Sequence, residues 1–272
     1  MNFFIKLVLS ISLTTCALGL NVAVAKSSDY EAAVQAYNAD NIDAAFIHLK
    51  NVLQKNEKNL PAKLLLAEVF IKKHLYSSAE EELNDAVLQG ADINLIIAPL
   101  GRALLLQGKF KLVLQLGENK QLHQQGELAL NLIKAKAYVG LADVNSAIDL
   151  YLAILLENPN NVEAMLELAS IYNVKNQVAK AKKLLDKVIL LAPENSRLWL
   201  IKGQLARNQG QLEDSINYLN KANGLEPDNI TTLKSLATSY IELKEPEKAQ
   251  SLIEQVLLFS PKDMQAQLTY SN

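Results

Sequence analysis

The chain reads as an all-α solenoid built from seven stacked helix hairpins, and three observations carry that reading. Pro159, Pro193, Pro227 and Pro261 stand thirty-four residues apart, and a fixed period of that length marks repeated helical hairpins. Phased by these prolines, the eighth residue of every period is small: Ala33, Ala67, Gly101, Ala135, Ala169, Gly203 and Ala237. The twentieth is small or nearly so: Ala45, Ala79, Val113, Ala147, Ala181, Ser215 and Ala249. Two such rows let the paired helices approach closely, because side-chain size at the contact sets the distance between axes.

From the N-terminus, the first element is a secretion leader over residues 1–25. Lys6 supplies a short basic region, Leu7–Leu20 an apolar run, and Ala23-Val24-Ala25 a small-residue cleavage site before Lys26. The run is broken by Ser and Thr and is short for a permanent membrane span. The expected location is therefore the bacterial periplasm or outer surface, with possible outer-membrane association. Cys16, the single cysteine, leaves a second route open. Cleavage just before it would give a lipidated N-terminus, with Leu13 suitably placed but Thr15 where Gly, Ala or Ser belongs. Removal with the leader instead leaves a mature chain with no thiol or disulfide chemistry.

The hairpins follow as 26–59, 60–93, 94–127, 128–161, 162–195, 196–229 and 230–263. Bulky residues fill the eleventh position (Phe70, Leu104, Tyr138, Tyr172, Tyr240) and the twenty-fourth (Leu49, Leu83, Tyr151, Leu185, Leu219, Ile253). Both rows fall at helical spacing from the small rows, so each period holds two amphipathic helices. Turn-formers divide them at Asp40-Asn41, Gly108-Lys109, Asn176-Gln177 and Gly210-Gln211. Between periods, each proline disfavours helix in the residue before it, and an Asn or Asp follows that can cap the next helix. Residues 94–127 fit least well, with Pro99 inside the first helix and Gly117 and Lys120 in the second, which predicts a kink or a looser seam. Residues 264–272 read as a partial repeat or capping tail, or as the start of a longer array.

These positions carry the tetratricopeptide pattern W-x2-L-G-x2-Y…A-x3-F…P. It is matched best by Leu168-Ala169, Tyr172, Ala181, Leu185 and Pro193, and next by Trp199, Gly203, Ser215, Leu219 and Pro227. The resemblance covers 26–263 and implies a right-handed superhelix that binds protein or peptide in a concave groove. In this family the second, fifth, ninth, twelfth and thirteenth positions line that groove. The resemblance therefore assigns Lys72, Arg102, Lys136, Asn173, Gln204, Arg207 and Asn208 to a partner-binding strip, with Tyr30, Tyr37, Glu68, Lys234 and Glu242 beside them. Arg102 and Lys136, at one position of adjacent repeats, are expected to be neighbours on one wall. Arg and Asn donors there suit a carboxylate or an extended backbone.

No sign of catalysis, cofactor or metal emerges from the residues. His48, His74 and His123 are far apart and lack a ligand partner at i+3 or i+4, and no P-loop, dinucleotide or nucleophile-elbow motif occurs. Glu80-Glu81-Glu82 sits at the start of a second helix, where negative charge favours the helix dipole. Asn229-Ile230-Thr231 matches a glycosylation pattern but coincides with a helix cap, and Trp199 occupies the family's core position. A net charge of -2 with interspersed signs excludes a nucleic-acid footprint.

Two segments have a more particular character. Tyr37-Asn38-Ala39-Asp40 with Ala44–Lys55, and Pro99–Phe110, resemble the opening of the tetratricopeptide lipoproteins of the PEP-CTERM/exosortase system, across residues 30–160. Those exported proteins are encoded with exopolysaccharide-export and protein-sorting genes. The resemblance implies a non-catalytic adaptor in the cell envelope, touching the membrane only if Cys16 is lipidated. An assembly factor for a type IV pilus or outer-membrane complex is the alternative, and a glycan- or peptidoglycan-processing protein a more distant one.

Overall fold

The computed structural model describes residues 29–267 apart from 119 and 265. The leader and Cys16 lie outside the described residues, as does most of the tail. The described chain forms fourteen α-helices and no strand. They pair as α1 (Asp29–Asn38) with α2 (Ile42–Lys55), α3 (Leu60–Lys72) with α4 (Tyr76–Leu88), and α5 (Ile93–Leu106) with α6 (Phe110–Gln115). Next come α7 (Gln124–Gly140) with α8 (Val144–Glu157), and α9 (Val162–Val174) with α10 (Val178–Leu191). The last pairs are α11 (Ser196–Asn208) with α12 (Leu212–Leu225), and α13 (Ile230–Glu242) with α14 (Pro246–Phe259).

Every hairpin closes in the same way. Asp40, His74, Gly108, Ala142, Asn176, Gly210 and Lys244, the fifteenth residue of each period, have φ between 55° and 72°. The amide after each bonds back to the eleventh-position carbonyl, as from Leu75 to Phe70 (2.8 Å) and Gln177 to Tyr172 (2.7 Å). This Schellman arrangement satisfies carbonyls that the helix end would otherwise leave open. Between hairpins, Asn59, Asn161, Asn195 and Asn229 stand at the thirty-fourth position and begin the next first helix. Their side chains accept from Ala62, Ala164, Leu198 and Thr232 amides at 2.8–3.3 Å. Asp263 does the same for Ala266 at 2.9 Å, where an eighth first helix starts.

Both small rows are buried along their whole length. At Gly203 an added Cβ would lie 2.5 Å from Leu219 Cγ and 3.2 Å from the Ser215 carbonyl oxygen, so the two helices of that hairpin touch almost backbone to backbone. Trp199 is also core, and its indole N–H donates to the Pro193 carbonyl at 2.7 Å. Its ring carries the Lys221 ammonium 3.6 Å from the centroid on one side.

The period slips at repeat three, and the break falls on its second helix rather than at Pro99, through which α5 continues. Helix α6 stops after six residues, and Gly117 follows with φ +77. Helix α7 then starts at Gln124, ahead of the period boundary at 128. The cause is local. Positions 93 and 127, where Asn or Asp caps stand elsewhere, hold Ile93 and Glu127. Asp92 caps α5 instead, and Asn94 accepts the His123 amide at 2.8 Å, fixing an earlier start for α7. Gly117 also occupies the bulky twenty-fourth position, and Leu130 and Ile133 of the lengthened α7 fill the space. An added Cβ at Gly117 would lie 2.5 Å from Leu130 Cδ2, and one at Gly101 2.7 Å from Ile133 Cγ2. Helix α5 thus packs directly on α7. A core cluster running from Ala33 to Ala137 and another from Leu132 to Ala222 meet on α7, and two smaller clusters fill the C-terminal repeats.

Three stability outcomes follow. Ala142 holds a left-handed conformation that costs an L-residue about 1 kcal/mol, so Ala142→Gly should raise stability by about 0.5–1 kcal/mol in urea melts. Gly203→Ala should lower it by about 1–3 kcal/mol through overpacking against Leu219. Gly224→Ala, which meets nothing within 4 Å on α12, should gain about 0.5–1 kcal/mol of helix propensity.

Candidate functional site

The first helices of successive hairpins pack on one another, α3 on α5, α9 on α11 and α11 on α13. Their ninth, twelfth and thirteenth residues therefore share one strip along the stack, where charged and amide side chains are interrupted by exposed Leu106, Val139, Val174 and Ile241. At its N-terminal end Lys72 pairs with Asp40, and its ammonium sits 4.8 Å from the Tyr37 ring centroid. Arg102 pairs with Glu68, the ninth-position residue of the preceding repeat. Burial pushes the Glu68 carboxyl above the usual carboxylate range, and Arg102 and Lys72 only partly offset it.

The middle of the strip is a four-charge chain. Lys136 reaches Glu163 at 2.6 Å and Glu167 at 3.4 Å, and Arg197 closes on Glu167 at 2.7 Å. Burial works against ionising Glu167, but Arg197 and Lys136 outweigh it and hold the carboxyl below its ordinary value. Beneath them the Tyr151 hydroxyl is buried without a hydrogen-bond partner. Burial first, then the charges of Glu167 and Glu163, push its ionisation far above the ordinary phenol range. It is a neutral hydroxyl at any physiological pH.

Towards the C-terminus the strip becomes amide-rich. Asn208 Nδ2 donates to Asn173 Oδ1 at 3.0 Å, and Gln204 Nε2 donates to Ser235 Oγ at 3.3 Å. Arg207 lies 3.9 Å from Glu242, and Lys234 pairs with Asp263 at 3.0 Å.

The expected strip residues are thus engaged within the protein, mostly with a group about one period away. Arg102 turns back to repeat two while Lys136 turns forward to repeat five. Instead of an open row of donors, the strip is a charge-compensated ladder. Glu163 and Arg197 escaped notice although both stand at the second position, one of those assigned to the groove. Glu167, at the sixth, had no such signal. Elsewhere Glu80 is held by Lys109 at 2.7 Å and Glu82 by Lys63 at 3.4 Å, so these acids tie helices together. Among the described residues no three His, Cys, Asp or Glu side chains gather as metal ligands, and no helix is long and apolar enough to cross a membrane.

A family model described as tetratricopeptide repeat matches residues 25–98, 138–205 and 206–269, well over half of the chain. The chain belongs to the tetratricopeptide repeat family. The unmatched stretch, 99–137, contains the shortened α6 and the start of α7. No curated protein matches the sequence. Among solved structures, the Cut9-Hcn1 hetero-tetramer of the APC/C is similar, with a TM-score of 0.70 at 12% identity, covering 88% of this chain. The present chain spans 48% of the length of the chain it matches there. MamA is similar over 50% of this chain and 80% of its own, at 23% identity and a TM-score of 0.43. A MamA point mutant gives 22% identity over 60% of this chain and 95% of its own, also at 0.43. These likenesses are of fold. Tetratricopeptide repeats generally bind protein partners.

Glu68 and Glu167 should respond oppositely to pH. Glu167, held down when folded, stabilises the fold above the free carboxylate value near 4.3, and that contribution is lost as pH falls through its folded value. Glu167→Gln should cost about 1.5–3 kcal/mol at pH 7, with the difference from wild type shrinking below about pH 4. Glu68, pushed up when folded, loses stability as it ionises, so Glu68→Gln should be neutral or stabilising at pH 7. Urea melts between about pH 3 and pH 7 measure both.

Proposed function

We propose that the protein is an exported, non-catalytic adaptor of the cell envelope, serving exopolysaccharide export or the sorting of surface proteins. The observation that carries this is the coupling of a leader to the solenoid. Lys6, the apolar run Leu7–Leu20 and the small residues before Lys26 lead directly into the first repeat. The similarity of residues 30–160 to the PEP-CTERM/exosortase lipoproteins supplies the pathway, and the repeat family supplies the activity of holding another protein. Processing after Ala25 leaves a free periplasmic scaffold, whereas lipidation at Cys16 would leave one tethered to a membrane.

Binding takes place on the first-helix strip. Because its charges are compensated, a strongly acidic or basic segment would have to displace existing ion pairs, and a desolvated ion gains little from such an exchange. The amide-rich stretch of Gln204, Arg207 and Asn208 makes fewer demands. Its groups can hydrogen-bond the backbone of a bound segment, and Arg207 is only loosely held by Glu242.

A crosslinked pull-down from native envelopes tests this, comparing wild type with a Gln204→Ala, Arg207→Ala, Asn208→Ala variant. We expect a partner captured by wild type and lost by the variant, with both chains recovered from the periplasm or the membrane and beginning at Lys26 or Cys16. Equal capture of every partner by both would remove the strip as the binding site. Recovery only from the cytoplasm, with the leader intact, would remove the envelope role.

A further inference from the structure

A second surface lies on the outer side of the stack, away from the first-helix strip. On α8, Asn145, Asp149, Leu152 and Leu156 are spaced i, i+4, i+7 and i+11 and share one exposed face. On α10 the same positions hold Ala179, Lys183, Asp186 and Leu190, again exposed. Leu156 and Leu190 are each 84% exposed. Exposed leucines are ordinary one at a time, but these recur at the twenty-ninth position, as do Leu88 and Leu258, at 86% and 79%. Asp149 and Lys183, unlike the charges of the strip, make no ion pair within the described chain.

We propose that this face is a self-association surface, occupied by the same face of a second copy running antiparallel to the first. The argument is one of symmetry and charge. A two-fold axis parallel to the second helices and passing between α8 and α10 reverses the order of repeats while keeping helix direction. Each position then faces its own number on the other helix. Leu156 meets Leu190 of the second copy, and Asp149 meets Lys183, each contact occurring twice because the interface is isologous. The other axis in the plane of the contact, along the stack, would set each helix antiparallel against its own copy, so that Asp149 and Lys183 would not meet. One position is mismatched: Leu152 meets Asp186.

Sedimentation velocity across the micromolar range, on protein purified from cells expressing the full chain, tests the interface. Wild type should show a monomer–dimer equilibrium, weakened at least about tenfold by Leu156→Glu with Leu190→Glu. Asp149→Lys alone should weaken it as well, by facing lysine with lysine, and adding Lys183→Asp should restore wild-type affinity. Asp186→Leu should tighten it by giving Leu152 an apolar partner. All these side chains are exposed, and unchanged thermal melts will show that each variant is folded. A wild type that stays monomeric, a dimer indifferent to the leucine changes, or a failure of the double reversal to restore affinity would each overturn the proposal. Groove binding is read separately and is unaffected by these outcomes.

Discussion

One left-handed residue per period governs this architecture. By turning the chain at the fifteenth position, it sends the next amide back to the eleventh-position carbonyl and fixes how the second helix leaves the first. That angle brings the eighth and twentieth residues into contact, so they must be small. The bulky eleventh and twenty-fourth residues then fill the space on either side. Each hairpin is left with an apolar flank that only another hairpin can cover, and stacking follows. The polar strip on the first helices is the surface that this stacking leaves over.

Much of this was legible in the sequence because it depends on side-chain size and on prolines at a fixed spacing. The turn itself was less so. Gly108, Gly210, Asp40 and Asn176 announce a left-handed residue, but His74, Ala142 and Lys244 adopt the same conformation because their neighbours impose it, against their own preference. Lys63 shows the same override. It stands where Trp199 stands four repeats on in the pattern, yet it is buried and held by Asp85 and Glu82 of α4. The slip at repeat three was visible as a bad fit around Pro99 and Gly117, but its position was not. It depends on missing caps at 93 and 127, and on Asn94 reaching the amide of a residue in the next hairpin.

The strip was the hardest part to read. A position number says which way a side chain leaves its helix, but not whom it meets. Glu68 and Arg102 occupy the same position in adjacent repeats and neutralise one another, as do Lys136 and the Glu163–Glu167–Arg197 group from other positions. Pairing of this kind gives a groove little net field, so recognition there depends on shape and hydrogen bonding rather than on long-range steering. Asp149 and Lys183, which make no ion pair within the described chain, lie instead on the outer helices.

The shortened α6 has a mechanical consequence. In a linear stack, each hairpin transmits load only to its neighbours, and the joint with the fewest shared contacts yields first. Here a six-residue helix stands where its equivalents have thirteen or fourteen, yet α5 packs directly on α7, which two core clusters share. Pulled from its ends, such a chain would carry load past repeat three mainly through the packing of α5 on α7. A joint packed in this way resists bending, and the load that second helices carry elsewhere passes there through the first helices.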